Sequence, residues 1–143
     1  MEPKNIFEIK GDKERKKEAR LNYKKDAKIF KEYEKKCSDW KKIHLLYFKI
    51  IEQDTTLKEA INYFVEICKI FINSMETKKM SFKEGGFAEK LFDDFPFHYT
   101  SKIYELFDGE LYGVAELLGN LKDEKDFENL KKEFEVFTKK YGF

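Results

Sequence analysis

Ala19, Tyr23, Ala27, Phe30, Tyr33 and Cys37 recur at intervals of four, four, three, three and four residues, and most of what stands between them is Lys, Glu or Asp. One narrow apolar stripe at helical period marks an α-helix that covers one side of a core and shows the other side to water. Trp40, Ile43, Tyr47 and Ile50 continue the spacing, but apolar density rises sharply after Trp40. A bend or break near Ser38-Asp39 is therefore expected, with either residue available as a cap. The helix after the break is apolar on most sides and should sit deep in the core.

The rest of the chain is punctuated for the same architecture. Thr56-Leu57-Lys58-Glu59 has the form of a capping box, in which hydroxyl and carboxylate each satisfy the other residue's backbone N–H. A broad core-facing helix over about 57–76 follows, with Leu57, Ala60, Ile61, Phe64, Val65, Cys68, Phe71, Ile72 and Met75 at i, i+3, i+4 and i+7 spacing. Gly85-Gly86 is expected to break the chain as a flexible or left-handed turn. Phe87–Phe92 allows a short helix, stopped before Pro96. Thr100 or Ser101 can cap another over 102–107, and Glu110–Leu118 reads as one more, ended by Gly119-Asn120. Phe127, Leu130, Phe134, Phe137 and Tyr141 recur at three, four, three and four, the seam of a last helix that starts near Asp123 or Asp126 and ends at Gly142.

With two prolines and seven glycines in 143 residues, little interrupts these helices. Fifteen Phe and eight Tyr supply the apolar mass that disordered chains lack. The expected fold is all-α: one compact helical bundle of five to seven helices over 1–143, with a loop-rich aromatic segment around 77–101. Residues 1–11 are expected to form an extended lead-in, punctuated by Gly11. No apolar run approaches the roughly 18 residues that cross a bilayer, and the first residues lack the charge-then-apolar pattern of a leader. A cytoplasmic protein with no membrane association is expected.

Charge is the least uniform property. The whole chain is +1, yet residues 10–42 hold 14 lysines and arginines against seven acids, a net +7. Such a helix is either a solvated surface with its own i,i+4 ion pairs or a basic face for phosphates or an acidic protein. On the second view the partner-binding residues are Lys13, Arg15, Lys16, Lys17, Arg20, Lys24, Lys25, Lys28, Lys31 and Lys35. With only two arginines in the stretch, bidentate reading of bases has little support, so nucleic acid would be held by its backbone. A second candidate surface is the aromatic run, Phe82, Phe87, Phe95, Phe97 and Tyr99, which either plugs the end of the bundle or anchors a partner.

Catalytic chemistry has weak support. His44 lies in the apolar helix, where a hydrogen-bonded boundary role is the ordinary one. His98 lies among aromatics, with Glu84, Glu89, Asp93 and Asp94 read as solvated loop acids. Phosphate-loop, dinucleotide and metal-ligand spacings are missing, and Cys37 and Cys68 read as reduced, buried thiols. No cofactor, metal or catalytic residue is assigned. The chain is expected to be a non-enzymatic protein that docks a macromolecule, most readily another protein, as a complex subunit or an inhibitor encoded by a mobile element. Backbone-directed RNA or DNA binding is the alternative, a small enzyme using His98 and nearby carboxylates the third, and self-association is open.

Overall fold

The computed structural model of the chain describes the backbone of residues 3–52, 54–94 and 109–143, and the side chains of these residues apart from 3–13 and 15. It is an all-α helical bundle, and the described residues contain no strand. In chain order the helices of the described residues are α1 (Pro3–Lys36), α2 (Asp39–Ile50), α3 (Leu57–Glu76), α4 (Gly86–Asp93), α5 (Tyr112–Gly119) and α6 (Glu124–Tyr141), with a 3₁₀ turn over Phe82–Gly85 before α4. Among the described residues no helix is long and apolar enough to cross a membrane.

α1 spans Pro3–Lys36, so the described part of the extended lead-in expected over 1–11, residues 3–11, is helix instead. Proline suits a first helical position, where its missing N–H has no partner to lose. Gly11 costs about 1 kcal/mol inside a helix, too little to stop one that is otherwise continuous. At 34 residues α1 is about 51 Å long.

The break falls where apolar density changes, between Lys36 and Asp39, but neither candidate cap acts as one. Ser38 stands at the N-cap in a helical conformation and makes no side-chain cap bond. Asp39 is buried and accepts a 2.5 Å hydrogen bond from the Ser74 hydroxyl of α3. The break instead lets α2 fold back antiparallel on α1. Tyr33 stacks on Trp40, Phe30 on His44, and Tyr23 meets Tyr47 and Phe48. Both outer ends close with cation-to-carbonyl bonds, Arg20 Nε to Ile51 O and Lys16 Nζ to Thr55 O, each 3.2 Å.

Thr56 and Glu59 form the capping box at the start of α3, and the hydroxyl bond holds the Glu59 carboxyl below its usual range. Asp123 caps α6 by accepting from Asp126 N, and Gly142 ends it in the left-handed region at φ 77°. α3 packs on α2, α4 on α5, and α5 on α6.

Among the described residues, two aromatic clusters join the helices of the core. Phe30, Tyr33, Trp40, Phe71 and Phe87 bring together α1, α2, α3 and α4. Phe64, Phe92 and Tyr112 join α3, α4 and α5. α6 closes the far side, with Phe127 against Phe82 and Lys131 paired to Glu76.

Candidate functional site

The seven acids of residues 10–42 do not all serve to neutralise its lysines. Asp26 is buried and paired with Lys90 of α4. Glu34 accepts from His44 of α2 at 2.7 Å. Asp39 faces Ser74, with Lys79 at 4.0 Å. Three carboxylates thus point away from the outer face and are engaged by groups outside α1. Asp26 and Glu34 both stand four residues from Phe30, on the margin of the apolar stripe. That register was visible in the sequence, although their partners were not.

Lys17, Lys24, Lys28, Lys31 and Lys35 are exposed and lie at intervals of seven, four, three and four. Leu21, 54% exposed, fills the gap, so the row reads four, three, four, three, four along one line of the helix. It is opposite the buried stripe and about 27 Å long. Lys25 flanks it, on the strip that carries the exposed Glu14, Glu18 and Glu32. Lys41 and Lys42 extend the positive surface onto α2. Among the described residues, no carboxylate is within ion-pair distance of these eight lysines, Lys17, Lys24, Lys25, Lys28, Lys31, Lys35, Lys41 and Lys42.

Lys16 and Arg20 are placed differently from the exposed lysines. Lys16 is 7% exposed, and both spend donors on carbonyls beyond the end of α2. The side chains of Lys13 and Arg15 lie outside the described residues. On α2, Leu45 (54%) and Phe48 (42%) are exposed, one turn apart. The Phe48 ring is 5.1 Å from Tyr23 of α1, which sets this apolar pair at the seam between the helices. Nothing in the sequence separated these two residues from the core positions around them.

The aromatic run does not form an exposed surface where it is described. Phe87 is buried against Phe30, Tyr33 and Trp40. Phe82 is half-buried on Phe127. Both are core because the 3₁₀ turn and α4 lie between α1 and α5 rather than at an open end. Phe95, Phe97, Tyr99 and His98 lie outside the described residues.

Gly85 and Gly86 are likewise helical, at φ −61° and −59°, and not a left-handed turn. A Cβ on Gly85 would stand 2.3 Å from the Leu118 carbonyl oxygen, so glycine is required by close approach to α5.

His44 is engaged on both nitrogens. Glu34 can only accept, so Nδ1 donates to it at 2.7 Å, and Nε2 shares a 2.5 Å hydrogen bond with the Tyr23 hydroxyl. The ring stacks on Phe30 at 4.4 Å. Burial, with the Glu34 charge adding to it, raises the Tyr23 phenol above its usual range, which disfavours a nucleophilic tyrosinate. The triad ties α1 to α2.

The four acids read from sequence as solvated differ from one another. Glu84 accepts from Ser81 N at 2.8 Å, and Glu89 lies over Gly119. Asp94 accepts from Asn22 at 2.9 Å and Tyr47 at 3.1 Å. Asp93 is exposed. No group of three metal-ligating side chains occurs among the described residues.

Partial burial raises the Asp94 carboxyl above its ordinary value, against the pull of Tyr47, Asn22 and Lys90. A raised acid favours the folded state while protonated, and that contribution fades as pH rises from about 4. Asp94→Asn should therefore gain on the wild type between pH 4 and pH 7 in thermal unfolding, whatever fixed cost its altered hydrogen bonds impose. An unchanged difference between the two pH values would refute the shift.

α5 and α6 border an open groove of about 620 Å³, lined by Val114, Leu117, Val136 and Phe137 with Glu110 and Lys132 at its rim. The chain matches no protein-family model, no curated protein and no solved structure at a significant level.

Proposed function

We propose that the chain is a non-enzymatic, cytoplasmic binding protein that docks an acidic macromolecular partner, most readily a protein, on the outer face of the α1–α2 hairpin. The observation that carries this reading is the uncompensated lysine row. Among the described residues, eight exposed ammonium groups have no carboxylate partner, while Asp26, Glu34 and Asp39 of the same stretch are turned inward. Self-repulsion among like charges costs stability unless something acidic comes to cover them. Lysines also suit such a face, since a compact, hydrated charge meets carboxylates and phosphates alike without demanding a fixed geometry.

The non-catalytic part of the reading draws on the uses of the chemistry-bearing groups. His44 has both nitrogens occupied within the hairpin. Cys37 and Cys68 are free and buried, and burial pushes the Cys68 thiol well above its usual range. Two buried, unpaired thiols also fit a reducing compartment.

The test compares wild type with the Lys24→Glu/Lys28→Glu/Lys31→Glu/Lys35→Glu variant as bait in native cell extract, with and without nuclease. Surface substitutions of this kind shift stability by about 0.5 kcal/mol or less each, so the variant should fold. The expected result is a partner retained by wild type, lost by the variant, released by salt and indifferent to nuclease. Equal capture by both proteins would remove the lysine row from the function. Loss of capture on nuclease treatment would transfer the reading to RNA or DNA backbone binding, whose affinity falls steeply with salt.

A further inference from the structure

We infer that the element docked on this face is an acidic amphipathic α-helix, lying along α1 with its carboxylates against Lys17, Lys24, Lys28, Lys31 and Lys35 and its apolar residues on Leu45 and Phe48. The inference rests on the docking reading above and adds the shape of the partner.

The lysine row is straight and advances three or four residues per step, which is about 4.5–6 Å. A second helix laid alongside at a shallow crossing angle has the same repeat, so acids at i, i+3, i+4 and i+7 stay opposite the lysines over the full row. An extended acidic strand advances about 6.8 Å between residues on one side, and it falls a whole lysine step out of register within about four steps. The phosphates of a duplex wind around their axis, whereas this row does not, so a straight contact reaches few of them.

The apolar residues separate the classes further. Leu21 interrupts the lysines, and Leu45 and Phe48 are exposed on α2, with Phe48 at the seam against Tyr23 of α1. Facing phosphates they would gain nothing. Under a helix with an adjoining apolar edge they supply the desolvated contacts that give most of the binding energy at protein interfaces, while the lysines set orientation and rate of encounter.

The experiment uses the full chain and four labelled or sedimentable probes, at about 0.15 M salt so that loose charge attraction is screened. One is a peptide of about four heptads with Glu at the a and d positions and Leu at e. The second has the same composition in shuffled order. The third is an RNA duplex, and the fourth is a vesicle of phosphatidylcholine and phosphatidylserine.

The patterned peptide should bind roughly ten-fold tighter than the shuffled one, a modest share of what buried apolar anchors contribute elsewhere. That advantage should vanish in Leu45→Ser/Phe48→Ser and in Lys24→Glu/Lys28→Glu/Lys31→Glu, each checked for native helicity by circular dichroism. Equal binding of the two peptides, or tighter binding of the RNA or the vesicle, would overturn the helical partner while leaving a basic docking face. Binding of none of the four would take down both the inference and the reading beneath it.

Discussion

Trp40→Ala should lower the unfolding free energy by about 3–5 kcal/mol, the range for emptying a large aromatic site in a packed core. Trp40 is fully buried. Its ring stacks on Tyr33 at 4.4 Å and meets Phe71 at 5.3 Å and Phe87 at 5.6 Å, near-perpendicular to both. One residue therefore touches an aromatic ring from α1, from α3 and from α4, and its loss loosens all three at once.

Among the described residues the indole N–H has no hydrogen-bond partner, so the cost is packing and not polar pairing. Trp40→Phe, which keeps a ring and loses no hydrogen bond, should retain more than half of the stability that alanine forfeits. Equilibrium urea unfolding followed by circular dichroism measures both. A loss below about 1.5 kcal/mol in the alanine variant is what a tolerated volume change costs, and it would mean that the four-helix aromatic centre is not assembled as described.

Gly85→Ala and Gly86→Ala should move stability in opposite directions, although the residues are adjacent. Both glycines hold right-handed helical dihedrals, so alanine suits either backbone and should gain about 0.4–1 kcal/mol from reduced freedom in the unfolded chain. At Gly86 the nearest atom to a new Cβ is the Gly119 carbonyl oxygen, 4.0 Å away, and the gain should be realised. At Gly85 the new atom meets the Leu118 carbonyl oxygen at 2.3 Å and Met75 Cε at 3.0 Å. A methyl terminus can swing aside, but a helix carbonyl cannot, so α5 must back away from the 3₁₀ turn. Overpacking of this kind costs about 1–3 kcal/mol, which exceeds the entropic gain. Thermal unfolding of the two variants side by side decides the matter. Equal midpoints would place α5 farther from Gly85 than its carbonyl stands here.

Local chemistry was enough to read the helices and several of their ends. The Thr56 capping box, Asp123 at the start of α6 and Gly142 at its end are contests between neighbouring backbone and side-chain groups, settled within four residues. The stripe through Ala19, Phe30 and Cys37 needs only the helical period to declare its buried side.

Where the chain asks what lies opposite, local pattern carries no answer. Asp39 has the chemistry of a cap, yet it is held under Ser74, 35 residues on. Gly85 and Gly86 have the chemistry of a turn, yet one is a point of contact between helices. Lys16 and Arg20 look like their neighbours in the lysine row, but among the described residues it is they that reach the carbonyls beyond α2.

The basic face itself divides the same way. The excess of lysine was present in the composition, but whether it was neutralised depended on which way Asp26 and Glu34 faced. A helix fixes the angle of each side chain about its own axis, and only the packing of α2 and α4 against α1 supplied the Lys90 and His44 that hold those two acids inward.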